Sequence, residues 1–242
     1  RDDVESRGLG DVYKRQLIDR SNCSKGRCAM PKLDYDNQNN WLFKTGQMQS
    51  PVALESNKAE KIEKQATLKL NYSTNASYVH DNGQGIEIGL SGQAIIDNRL
   101  FSLIQFHIHA PSEHLLNNYR FDGEIHFVHQ AKDGRTAVIA VFLKAGKTSK
   151  TFSQIFNHLN QDQNFVCDLT DLIPENKSYY HYLGSLTTPP LTENVEWYIL
   201  ANPVEVSRQQ LAEFHKLYPY NNRQLQSLNR RPVLYCSSTI KN

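Results

Sequence analysis

Nothing in this sequence runs apolar for the 18–20 residues that a membrane-crossing helix needs, roughly. The apolar stretches, such as 137–143, are strand-sized. Charge of one sign is lacking too. Lysine plus arginine number 27 against 25 acidic residues, a net +2 with no basic block, which gives nucleic acid nothing to hold. Cysteine is sparse: Cys23, Cys28, Cys167 and Cys236 are the only four in 242 residues. An even count permits two disulfides in any of three connectivities, but a chain of this length does not depend on them. No internal repeat, linker or low-complexity segment is present, and no His-Glu-x-x-His pattern that would put a metal on a helix. What remains is 39% hydrophobic and 21% charged, the composition of one globular domain with a real core.

Residues 1–16 have no apolar period and no h-region, so they are not a signal peptide. The stretch Asp11-Val12-Tyr13-Lys14-Arg15-Gln16 resembles translated sequencing adapter. Met30 reads as a natural start, because Lys25-Gly26-Arg27 just before it fits a purine-rich ribosome-binding stretch. The expectation is that 1–29 is translated upstream sequence, or else a disordered tail, and that 30–242 is the catalytic domain.

Alternation over 66–72 predicts a strand, and 85–90, 94–96, 100–109, 124–130, 136–143 and 195–200 are further strand candidates, with turns at Gly83, Gly92, Asp122-Gly123 and Asp133-Gly134. Asp133-Gly134 between two apolar runs signals a hairpin. Phe152, Ile155, Phe156 and Leu159 fall at helical spacing. Ser207 and Gln210 form a capping box before Leu211, Phe214 and Leu217, and Pro219 stops that helix. The fold class is mainly β (α+β): one domain with a central twisted, mostly antiparallel sheet of about ten strands and short peripheral helices.

Five of the nine histidines lie between 107 and 129. His107 and His109 are two apart in a strand pattern, so both imidazoles project from one face, with Phe106 and Ile108 on the other. His126 lies in a second alternating strand. If the two strands are neighbours, three imidazoles converge, and three neutral nitrogens with an open fourth position are a catalytic zinc arrangement. No cysteine is close enough in sequence for a structural thiolate site.

The run Gln105-Phe106-His107-Ile108-His109-Ala110-Pro111-Ser112-Glu113-His114 resembles the signature of alpha-class carbonic anhydrases. Glu124-Ile125-His126-Phe127-Val128-His129 is similar to the family's segment with the third ligand, and Gly184-Ser185-Leu186-Thr187-Thr188-Pro189-Pro190 to its active-site loop. Gln49-Ser50-Pro51-Val52 and Asn229-Arg230-Arg231-Pro232 match two more stretches, so the resemblance spans about residues 33–235 in order. The start, Leu33-Asp34-Tyr35 to Trp41, resembles versions from Gram-positive bacteria. The resemblance implies a zinc lyase that hydrates carbon dioxide reversibly to bicarbonate and a proton, by attack of a metal-bound hydroxide. It implies Zn2+ on His107, His109 and His126. Gln105, Glu124 and the Asn229 carbonyl would orient those rings. Thr187 would accept the hydroxide's proton in a hydrogen bond while donating its own to Glu113. Val128, Val138, Leu186, Thr188, Val195 and Trp197 would line the substrate pocket. His114 and His129 would be buried and structural.

Two departures stand out. The family's proton shuttle follows Asn-Gly; here the motif is Asn82-Gly83-Gln84, and glutamine carries no proton at neutral pH. His80, read as lying on the same strand face as Asn82 and Gln84, is the alternative relay. Second, positions where many bacterial relatives hold a disulfide read as Phe43 and Leu191. That favours the cytoplasm, the alternative being a periplasmic or secreted protein whose signal peptide is missing from this sequence. The expected partners are carbon dioxide and bicarbonate, with no nucleic acid, membrane or obligate protein partner, and a monomer or dimer. Two other readings compete: a non-catalytic carbonic-anhydrase-like binding module, and a zinc hydrolase of another fold.

Overall fold

The computed structural model describes residues 32–41, 45–63 and 67–238. The expectations about 1–29, residue 66 and Phe43 fall outside those residues. Among the described residues the strands are β1 (Ala53–Leu54), β2 (Glu60–Ile62), β3 (Leu68–Asp81), β4 (Ile86–Ile96), β5 (Arg99–His109), β6 (Leu115–Leu116), β7 (Gly123–Gln130), β8 (Thr136–Ala145), β9 (Phe165–Val166), β10 (Tyr179–Ser185), β11 (Glu193–Val206) and β12 (Leu234–Cys236). The α-helices are α1 (Lys150–Asn157) and α2 (Arg208–Leu217).

Ten strands form one mixed sheet in the order β2-β12-β10-β11-β8-β7-β5-β4-β3-β9. β11 pairs with β8 and β12 with β2 in parallel; every other neighbouring pair is antiparallel. β8 lies mid-sheet and is buried on both faces. Ala137, Ile139, Val141 and Leu143 pack on one side, Val138, Ala140 and Phe142 on the other. That two-sided burial is why 137–143 reads as an unbroken apolar run. The first side also holds Phe106, Ile108, Ile125 and Phe127, covered by Phe152 and Ile155 of α1 and Leu211 and Phe214 of α2. The capping box at Ser207 and Gln210 is formed. The Gln210 amide also accepts from Ser149 N and donates to Ser149 O, which ties the N-termini of the two helices together.

Three expectations change. The strands read at 85–90 and 94–96 are one strand, because Gly92 is a bulge rather than a turn. A Cβ there would sit 2.6 Å from Tyr72 Cα, and its φ of +155° suits only glycine. Gln84 is not on a strand. β3 stops at Asp81, and Asn82 Oδ1 accepts from Gln84 N and Gly85 N, closing a turn in which Gly83 has φ +81°. β10 was not predicted: it is buried on both faces, and Tyr179-Tyr180-His181-Tyr182 shows no alternation.

Candidate metal centre

β5 and β7 are adjacent and antiparallel, with His107 opposite His126 and His109 opposite Glu124. The three imidazoles therefore meet on one face, with ring centroids 4.9, 5.2 and 4.6 Å apart. Each ring gives one nitrogen to an acceptor. His107 Nδ1 donates to Gln105 Oε1 at 2.9 Å, His109 Nδ1 to the Asn221 carbonyl at 2.5 Å, and His126 Nε2 to Glu124 Oε1 at 2.9 Å. These acceptors have no proton to give, so they fix the tautomers. His107 Nε2, His109 Nε2 and His126 Nδ1 are left with bare lone pairs. His109 Nε2 is buried without a hydrogen-bond partner. Burial, reinforced by the neighbouring rings, holds His107 well below the ordinary histidine range, and burial lowers His109 as well. Neutral imidazoles that share a face and keep their lone pairs are the donor set a zinc ion takes, so the residues fit the metal. The three offer ligand atoms within 4.8 Å of one another.

The carbonyl on His109 belongs to Asn221, not Asn229. Asn221 is buried beyond α2, its Oδ1 accepting from Ala110 N and its Nδ2 donating to Ile108 O, so its backbone is pinned at the end of β5. Asn229 is exposed and donates to the Gln47 carbonyl. Both segments carry an Asn-x-Arg triplet, at 221–223 and at 229–231. A backbone carbonyl leaves no mark in residue identity, so only the path of the chain separates them.

Glu124 accepts four hydrogen bonds. Oε1 takes His126 Nε2 and His114 Nδ1; Oε2 takes the backbone N–H groups of Glu113 and His114, both at 2.9 Å. Burial alone would raise this carboxyl, but His114 and His126 outweigh it and hold it well below the usual carboxylate range. His114, Glu124 and His126 also lie close enough to hold a metal. Their facing atoms are already bonded to one another, so that triple is a hydrogen-bonded relay. His114 passes on to the Tyr182 hydroxyl, and His129 bonds the Tyr72 hydroxyl. Burial pushes His129 down to about 4, which suits a neutral structural ring.

Glu113 is fully buried. Its Oε1 accepts from Arg223 N at 2.6 Å, while Oε2 has no hydrogen-bond partner and lies 3.7 Å from His109 Nε2 and 3.9 Å from His126 Nδ1. The expected Thr187–Glu113 hydrogen bond is therefore not formed here. Thr187 is buried on the loop after β10, and Thr188 beside it is half-buried. That loop is anchored by Trp197 Nε1 donating to Ser185 O and by reciprocal bonds between Ser50 and Ser185. Gly184 permits the approach, since a Cβ there would meet Ser50 Oγ at 2.1 Å. Arg223, which sequence reasoning missed, is buried and donates to Gln49 Oε1 and Ser50 O. Its only signal is that same ambiguous triplet.

Val128 opposes Val138, and Val138 opposes Trp197, one row along from His126. The Trp197 ring is 4.9 Å from that of His126. Val195 and Leu186 belong to the same apolar cluster. The opposite wall is polar. Asn82 donates to Glu87 Oε2, and Gln84 is half-buried. His80 stands further out, its Nε2 2.6 Å from Asp162 and its ring stacked on Tyr78. His80 thus lies on a different element from Gln84, and its register partner is Glu87, itself paired with His107.

The sequence model for eukaryotic-type carbonic anhydrase matches residues 36–237. A carbonic anhydrase of a Nostoc species is 33% identical over 204 residues, covering 80% of this chain and 77% of that protein. One of Neisseria gonorrhoeae is 34% identical over 202 residues, covering 80% and 79%. The solved alpha-carbonic anhydrase of Thermovibrio ammonificans, in complex with the inhibitor sulfanilamide, superposes with a TM-score of 0.73 at 39% identity, covering 78% of this chain and 87% of that one.

Proposed function

This chain belongs to the eukaryotic-type carbonic anhydrase family, an enzyme family that hydrates carbon dioxide reversibly, and from that premise we propose that His107, His109 and His126 hold a catalytic zinc ion. The observation that carries the reading is the set of three nitrogens left bare after Gln105, Asn221 and Glu124 have taken the others. Zinc, when bound there, supplies the Lewis acidity that makes water a nucleophile near neutral pH. The chain does the rest. Glu113 directs a lone pair towards the space faced by His109 Nε2 and His126 Nδ1. With the metal in place the Thr187 hydroxyl would donate to Glu113, a bond not formed here, and the Thr187 oxygen would accept a hydrogen bond from the nucleophile's O–H and so aim it. Its backbone N–H meets a bicarbonate oxygen. Val128, Val138, Leu186, Val195 and Trp197 exclude water from one side and suit an apolar gas, with Thr188 at the mouth. The proton released with bicarbonate leaves along the polar wall of Asn82 and Gln84 towards solvent and buffer, with His80 at the rim.

Zinc content and carbon dioxide hydration, measured before chelation, after it and on return of zinc, test the reading. Activity should fall and recover with the metal; full activity in metal-free protein overturns it. The same reading extends to compartment. Cys167 and Cys236 are both buried and not bonded to each other, and Leu191, at one of the two positions where bacterial relatives are expected to hold a disulfide, is apolar and buried. We infer a cytoplasmic protein, to be tested by thiol trapping and fractionation in its native host.

A further inference from the structure

One carboxylate facing the centre has no part in the chemistry above. Glu87 is paired in register with His107 on one side and His80 on the other, so its side chain shares their face. It is half-buried. Both oxygens accept: Oε1 from the Tyr78 hydroxyl at 2.8 Å and Oε2 from Asn82 Nδ2 at 3.0 Å. Two neutral donors define the carboxylate and leave its charge in place. Gly89 makes this possible, because a Cβ there would meet the Tyr78 ring at 2.1 Å. Among the described residues Glu87 forms no ion pair; the cation that His80 could supply is directed at Asp162.

We propose that Glu87 is a specificity-determining residue whose fixed negative charge lets the site discriminate neutral carbon dioxide from anions and hastens departure of anionic bicarbonate. The inference rests on the metal centre proposed above. Its size follows from unit charges about two strand spacings apart, roughly 9 Å. Between the dielectric of water and an effective value near 20, removing the charge tightens anion binding by about 2- to 20-fold. A neutral ligand gains nothing.

The test uses zinc-loaded protein, with metal content measured first and calorimetric titration by thiocyanate, an anion, and imidazole, a neutral ligand. Glu87→Gln should bind thiocyanate about 2- to 20-fold more tightly with imidazole unchanged, and the gap should narrow at high salt. Glu87→Asp should stay near the wild type, and Glu87→Ala serves as a second neutral variant. An unchanged thiocyanate affinity in zinc-replete neutral variants overturns the inference and leaves the metal centre standing. So does an equal shift for thiocyanate and imidazole, because packing rather than charge would then be responsible. A chain that takes up no zinc overturns both.

Discussion

Glu124→Gln is the sharpest perturbation of this centre, because it keeps shape and removes one acceptor. The native carboxylate accepts four N–H groups, two on each oxygen. A glutamine amide offers one oxygen and one NH2, so in either orientation two donors meet a donor. With the amide oxygen towards His114 and His126, the backbone N–H groups of Glu113 and His114 are orphaned in a buried loop. Lost hydrogen bonds to a buried charge are worth about 1.5–3 kcal/mol each, or about 3–6 kcal/mol for two. That is a large part of a stability of about 5–15 kcal/mol. With the amide reversed, the backbone is satisfied but the glutamine NH2 faces His126 Nε2. The ring then carries its proton on Nδ1, the atom needed for the metal. Zinc affinity falls by about 10- to 100-fold, and stabilisation by excess zinc shrinks by about 1.4–2.7 kcal/mol.

Thermal unfolding with and without zinc, together with chelator competition, separates the two orientations. The first lowers both melting temperatures in parallel; the second chiefly lowers the zinc-loaded one. Wild-type melting and wild-type zinc affinity together would refute the argument. The pH sign is fixed as well. The Glu124 carboxyl is depressed in the folded state, so its stabilisation is present above the unfolded glutamate pKa of about 4.3 and is lost as pH falls through the folded value. Glu124→Gln should flatten that acid limb.

His126→Ala should retain the fold but lose most zinc and activity, which metal analysis after dialysis would detect. Thr187→Ala should keep zinc and lose kcat/KM on the order of a hundredfold if aiming dominates, measured by stopped-flow hydration. Gln84→His should raise kcat at low buffer and leave kcat/KM nearly unchanged; a wild-type kcat indifferent to buffer would mean that proton transfer does not limit turnover. Burial pushes the Cys167 thiol up to about 12, so it should resist alkylation at neutral pH until the protein unfolds. Cys236 lies on β12 and Cys167 just past β9, eight strand spacings apart in the sheet order at about 4.8 Å each. No digest should therefore yield an intramolecular bridge between them.

The parts legible in the sequence are those where side-chain identity and chain direction coincide. Alternation alone put His107 and His109 on one face with Phe106 and Ile108 on the other, and the structure packs Phe106 and Ile108 into the helix-side core. The neighbouring of β5 and β7 was a condition that alternation could not supply, and the register of His107 against His126 meets it. Gly92 reads as a turn in the sequence although the strand continues through it. A glycine bulge and a glycine turn look identical until the partner strand, here through Tyr72, is known to continue past it.

Asn221 shows a deeper limit, and it bears on how the centre is built. Gln105 and Glu124 reach their histidines from two residues away on the same strand, so strand geometry alone sets those bonds. Asn221 reaches His109 across 112 residues, through a carbonyl that any residue possesses. What fixes it is its own side chain, which bonds Ala110 N and Ile108 O and makes the segment beyond α2 an extra partner at the end of β5. Two residues on, Arg223 N bonds Glu113, so this one segment positions both a proposed ligand and the carboxylate beside it. The histidine cluster is therefore not a local strand motif. Its His109 tautomer is set only once the C-terminal segment has docked, so full zinc affinity should report folding of the chain as far as Arg223.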